Sequence, residues 1–147
     1  EAMAYYKSKG MTLWDQMINI YEKYGYYKEG LVSVTMKGIE GAERIKYILE
    51  SFRNKPLKEI SEYKFEAMRD YNIGKIFNYL EGKEYDTNLP KSNVLYYDLE
   101  DSAWCCVRPS GTEPKIKFYV GVKGNSMEDA ELKLQNLKQE INNLANK

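Results

Sequence analysis

Residues 94–122 read VLYYDLEDSAWCCVRPSGTEPKIKFYVGV, and this stretch decides the fold. Val94 to Leu99 and Ala103 to Val107 are two runs of strand length, rich in aromatic and β-branched residues. Glu100-Asp101-Ser102 between them has the chemistry of a hairpin turn. After a loop punctuated by proline and glycine, Ile116, Phe118, Val120 and Val122 alternate with Lys115, Lys117, Tyr119 and Gly121. That period of two predicts a strand with one face buried.

Downstream, Gly124-Asn125 closes this strand, and Ser126 with Asp129 caps a helix with the apolar stripe Ala130, Leu134, Leu137, Ile141 and Leu144. Upstream, Leu31 to Lys37 alternates, with Val32, Val34 and Met36 on one side and Ser33, Thr35 and Lys37 on the other. Gly38 breaks that strand, and a helix follows with Ile39, Ala42, Ile45, Leu49 and Phe52 on one face. Asn54-Lys55-Pro56 ends it. A weaker strand runs through Tyr63, Phe65 and Ala67, and residues 71–92, with Gly74, Gly82 and Pro90, read as a long irregular excursion. The economical packing of these elements is an α+β sandwich. It has a mostly antiparallel four-stranded sheet with two helices on one face. An earlier helix, opened by Thr12 and Asp15 and carrying Leu13, Met17, Ile20 and Tyr24, stops at Gly25 and lies outside this unit.

Composition narrows the class. The chain has 147 residues, 43% hydrophobic and 30% charged, with no apolar run long enough to span a bilayer. Residues 1–10 are polar and unlike a signal peptide, and the absence of Met at position 1 suggests a piece of something longer. Lys+Arg and Asp+Glu are 22 each, so the chain lacks the basic excess from which nucleic-acid binding gains its affinity. There are no histidines, which removes the usual general base and the commonest metal ligand. Cys105 and Cys106 are adjacent, so in a strand they point to opposite faces and make a poor disulfide. They read as two buried thiols of a cytoplasmic protein.

The chemistry lies in Arg108-Pro109-Ser110-Gly111-Thr112-Glu113-Pro114-Lys115-Ile116-Lys117. Arg108 offers a planar fork that grips two phosphate oxygens at once. Ser110 and Thr112 add hydroxyl donors, and Gly111 permits a turn that aims backbone N–H groups inward as an anion nest. Pro109 and Pro114 stiffen the ends, while Lys115 and Lys117 share one face of the next strand. Glu113 would repel a phosphate and is expected to point away. The same composition also suits a surface hairpin loop with solvated charges. Elsewhere, Tyr26-Tyr27 and Tyr96-Tyr97 read as packing and surface residues. Glu59, Glu62 and Glu66 read as a solvated edge, and Asp98, Glu100 and Asp101 as a hairpin turn.

Arg108 to Lys117 resembles the phosphate-binding loop of the alpha-D-phosphohexomutases, the family of phosphoglucomutase and phosphomannomutase, whose members carry an R-x-S-G-T-x-P motif followed by a basic residue in the next strand. Asn93 to Arg108 and Tyr24-Gly25-Tyr26-Tyr27 resemble the phosphoglucomutase and phosphopentomutase branch of that family. The resemblance implies a four-domain parent enzyme whose last domain is a TATA-box-binding-protein-like α+β sandwich. Residues 1–25 would then be the terminal helix of the third domain or a linker, and residues 26–147 the last domain.

It also implies a phosphoserine in the first domain that passes its phosphoryl group to the sugar phosphate, while the last domain holds the phosphate that is not reacting. Magnesium and a sugar bisphosphate activator are implied for the parent. Its partners are a sugar-phosphate substrate and the upstream domains, with no nucleic acid and no membrane. Arg108, Ser110, Gly111, Thr112 and Lys117 match the phosphate grip, with Lys117 standing where many members have arginine. No segment resembles the serine loop, the acidic metal loop or the sugar-reading loop, so no catalytic residue and no metal ligand is expected here, and the chain alone should be inactive. The alternative is a free-standing phosphate-binding or protein-interaction module without catalysis. Which sugar the parent takes stays open.

Overall fold

The structure, a computed structural model, describes residues 25–55 and 57–146. Along the chain come β1 (Tyr26–Thr35), α1 (Gly38–Asn54), β2 (Glu59–Ile60), β3 (Tyr63–Asp70), β4 (Lys75–Asn78) and β5 (Lys83–Asp86). They are followed by β6 (Leu95–Leu99), β7 (Trp104–Pro109), β8 (Lys115–Gly124) and α2 (Met127–Ala145). The strands form one sheet in the order β1-β8-β7-β6-β3-β4-β5, with β2 paired to β3 off that path. Every pairing is antiparallel. The helix expected over residues 12–24 lies outside the described residues.

The period of two in β8 does what it predicts. Ile116, Phe118, Val120 and Val122 are at most 2% exposed and join the core, while Lys115, Lys117 and Tyr119 stay half-buried on the other face. Both helices cover the core face. Phe52 of α1 meets Phe118 edge-on at 6.4 Å, and Phe52, Phe118 and Ile141 of α2 line one small apolar cavity of about 20 Å³. Ser126 Oγ accepts from the Asp129 amide at 3.0 Å, as the sequence predicts for the start of α2. That helix buries Ala130, Leu134, Leu137, Ile141 and Ala145. Each such leucine or isoleucine contributes roughly 1.5–3 kcal/mol.

Four expectations need correction. The sheet is wider than four strands, because the weak run at 63–67 is a full central strand flanked by β6 and β4, the β4–β5 hairpin extends the sheet beyond it, and the short β2 also pairs with it. Residues 71–92 are not wholly irregular: β4 and β5 form a hairpin in register from Lys75↔Asp86 to Asn78↔Lys83. Its strands have four residues each, too short for a periodic signal, and β5 is exposed throughout. Next, β1 starts at Tyr26, five residues before the alternation does. Its core-side positions Lys28 and Gly30 break the apolar pattern but are served by α2: Lys28 pairs with Glu131, and Leu134 fills the space beside Gly30. Finally, α1 is rotated from its expected phase. Gly41 packs its first turn against the Met36 carbonyl, where a Cβ would collide, so Ile39 turns outward at 86% exposure and Ile48 goes in.

Candidate functional site

The Pro109↔Ile116 pair is the last rung of β7 and β8 before the loop between them. Three backbone hydrogen bonds shape that loop: Ser110 N to Lys115 O at 2.8 Å, Lys115 N to Glu113 O at 2.8 Å, and Met36 N to Pro114 O at 2.7 Å. The last one ties it to the turn between β1 and α1. Gly111 is not among the glycines with positive φ. A Cβ there would meet nothing within 4 Å, so Gly111 leaves room for close approach from outside.

The β7–β8 register sets Lys117 directly opposite Arg108 on the face away from the helices. Among the described residues neither has a carboxylate partner within salt-bridge distance. Like charges directly opposite on neighbouring strands are destabilising. Glu113 turns to Lys115, with Nζ to Oε2 at 2.6 Å, and the Lys115 hydrogen bond holds its carboxyl below the ordinary value. The loop's own carboxylate is therefore occupied. Ser110 is half-buried and Thr112 exposed. Sequence and structure thus bring Arg108, Ser110, Gly111, Thr112 and Lys117 to one corner of the sheet.

The sequence did not point to Tyr119. Arg108 lies 5.5 Å from the centre of its ring, and Arg108 Nη2 donates to Tyr119 Oη at 3.4 Å. Further along the same face Arg69 sits 4.7 Å over the Tyr96 ring and makes two 2.9 Å hydrogen bonds to Asp98. Asp98 is thus a strand residue with an arginine partner and no part of a turn. Tyr96 stacks on Trp104 at 5.8 Å and 7°, and Gly121 is required beneath, since a Cβ there would strike the Trp104 indole. Cys105 is buried and Cys106 only half-buried, both free. Burial pushes both thiols up, and Arg108 draws Cys106 back. Among the described residues no three His, Cys, Asp or Glu side chains converge to hold a metal ion. No helix among them is long and apolar enough to cross a membrane.

A family model described as the phosphoglucomutase/phosphomannomutase C-terminal domain matches residues 56–139. The chain belongs to the phosphoglucomutase/phosphomannomutase family. The phosphoglucomutase of Staphylococcus aureus strain MSSA476 is 38% identical over 128 residues, which are 87% of this chain and 23% of that protein. The phosphoglucomutase of strain MRSA252 is 37% identical over the same span. The chain therefore covers less than a third of the length of these phosphoglucomutases. Among solved structures, the Paramecium phosphoprotein pp63/parafusin, a phosphoglucomutase, gives a TM-score of 0.54 at 14% identity, covering 99% of this chain and 25% of that one. That likeness is one of fold, and the antiparallel sheet with two helices on one face fits the TATA-box-binding-protein-like architecture of a phosphoglucomutase domain.

Proposed function

We propose that this C-terminal domain grips the non-reacting phosphate of a sugar phosphate while the parent phosphoglucomutase-type enzyme transfers a phosphoryl group within its substrate. The observation that carries the reading is the facing pair Arg108 and Lys117, two cations in register, neither of them ion-paired to a carboxylate among the described residues. A phosphate dianion neutralises both. Arg108 suits two of its oxygens through a bidentate fork, and Lys117 suits a third as a point charge. The Ser110 and Thr112 hydroxyls and the open approach at Gly111 complete the cradle. Such a site reads phosphate and ignores the sugar, which suits a substrate that must bind in two orientations.

The remaining steps belong to residues outside this chain. Residues 1–25 are assigned to the preceding domain, a boundary supported by the start of β1 at Tyr26. Magnesium, a sugar bisphosphate activator and the phosphoserine are assigned to upstream domains. The likeness to phosphoglucomutases favours glucose phosphates as the parent's substrate, the free thiols of Cys105 and Cys106 suit a cytoplasmic location, and the chain by itself is expected to turn over neither isomer. The test is an NMR titration of the chain with glucose 1-phosphate, glucose 6-phosphate and glucose. Both phosphates should move the Ser110, Gly111 and Thr112 amides, and glucose should move none. Shifts confined to residues elsewhere would contradict the assignment.

A further inference from the structure

Two arginines on the open face of the sheet lie over tyrosine rings, and they are held differently. Arg69, over Tyr96, is also clamped by both oxygens of Asp98 and so carries no net charge into its surroundings. Arg108, over Tyr119, has a phenol where Arg69 has a carboxylate. Ordering a long arginine side chain costs rotamer entropy. An exposed arginine beside Lys117 would otherwise swing away from the like charge. A carboxylate would order it and cancel its charge at the same time. A phenol orders the guanidinium through its ring face and oxygen, and leaves the charge in place.

We propose that Tyr119 is a positioning residue for phosphate recognition, holding the Arg108 guanidinium in place before the phosphate arrives. This rests on the phosphate reading of the loop. The support beneath is rigid: Tyr119 lies between Phe118 and Val120, which are 2% and 0% exposed. In register it is flanked by Leu31 of β1 and Cys106 of β7. Ordering the guanidinium in advance lowers the entropy lost on binding, so the contribution appears as affinity.

The experiment compares the chain with its Tyr119→Phe and Tyr119→Leu variants. Heteronuclear NOEs of the arginine Nε–H groups are measured in phosphate-free buffer, with Arg69 as the internal standard, followed by titration with inorganic phosphate. In the unmodified chain Arg108 should be nearly as ordered as Arg69. Tyr119→Phe keeps the ring and should leave Arg108 partly ordered, whereas Tyr119→Leu should release it. A cation–π contact at an exposed site implies that phosphate binds about two- to five-fold more weakly to Tyr119→Leu. A merely structural role would lower the thermal midpoint and leave the Arg108 signal unchanged. The proposal is overturned if Arg108 is mobile in the unmodified chain, or stays ordered in Tyr119→Leu. If Tyr119 orders Arg108 but phosphate binds nowhere on the unmodified chain, the positioning contact stands and the phosphate reading falls.

Discussion

Lys117 faces Arg108 across the β7–β8 ladder, and Glu113, the nearest carboxylate along the loop, is committed to Lys115. Two cations in direct register, neither with a salt bridge among the described residues, cost stability, and their placement makes sense as a site kept ready for an anion. Lys117→Gln removes one of them. In phosphate-free buffer it should leave the chain as stable as before or up to about 0.5 kcal/mol more stable, while its affinity for phosphate falls several-fold. Urea melts with and without phosphate check both halves. A variant that is less stable and binds phosphate normally would show that Lys117 is a packing residue.

Arg53 and Asp70 fasten the end of α1 to β3. Arg53 Nε reaches both Asp70 oxygens, at 3.2 and 3.1 Å, Asn72 N donates to the same carboxylate at 3.0 Å, and Asp70 is 2% exposed. Removing one partner of a buried pair strands the other, at a cost of about 3 kcal/mol or more. Asp70→Asn and Arg53→Met should each lower the unfolding free energy by that order. The double variant should recover part of the loss, because neither charge is then left alone. Strictly additive losses in denaturant melts would show that the two side chains are not coupled.

We propose that residues 1–25 belong to the preceding domain, which would take up apolar side chains such as Leu13, Trp14, Met17, Ile18 and Tyr21. Deleting residues 1–25 should leave the cooperative melt of the remainder nearly unchanged. A loss of several kcal/mol would place that segment in this domain's own core.

What the sequence made legible was contiguous. The β8 alternation and the Ser126 cap need only neighbours within a few residues, and the phosphate-type loop is one unbroken stretch. What it hid depends on distant partners. The early half of β1 looks unlike a strand because Lys28 and Gly30 are completed by Glu131 and Leu134 of α2. The phase of α1 is set by a backbone contact at Gly41 rather than by its apolar stripe. Arg69 meets Asp98 across 29 residues and Arg53 meets Asp70 across 17, and no local pattern announces either pair. Tyr119 belongs with these, since its significance appears only when Arg108 is seen above it.

The central claim is the grip of Arg108 on phosphate, and the most direct measurement is the phosphate dissociation constant of Arg108→Lys against the unmodified chain. Charge-assisted hydrogen bonds contribute ~1.5–3 kcal/mol each, and association costs ~4 kcal/mol or more. Three or four such bonds therefore leave the unmodified chain with a dissociation constant of about a millimolar. Lysine keeps the charge and loses the fork, so binding should weaken by about tenfold, or ~1.4 kcal/mol, with the thermal midpoint unchanged. Equal affinities for the two proteins would contradict the account.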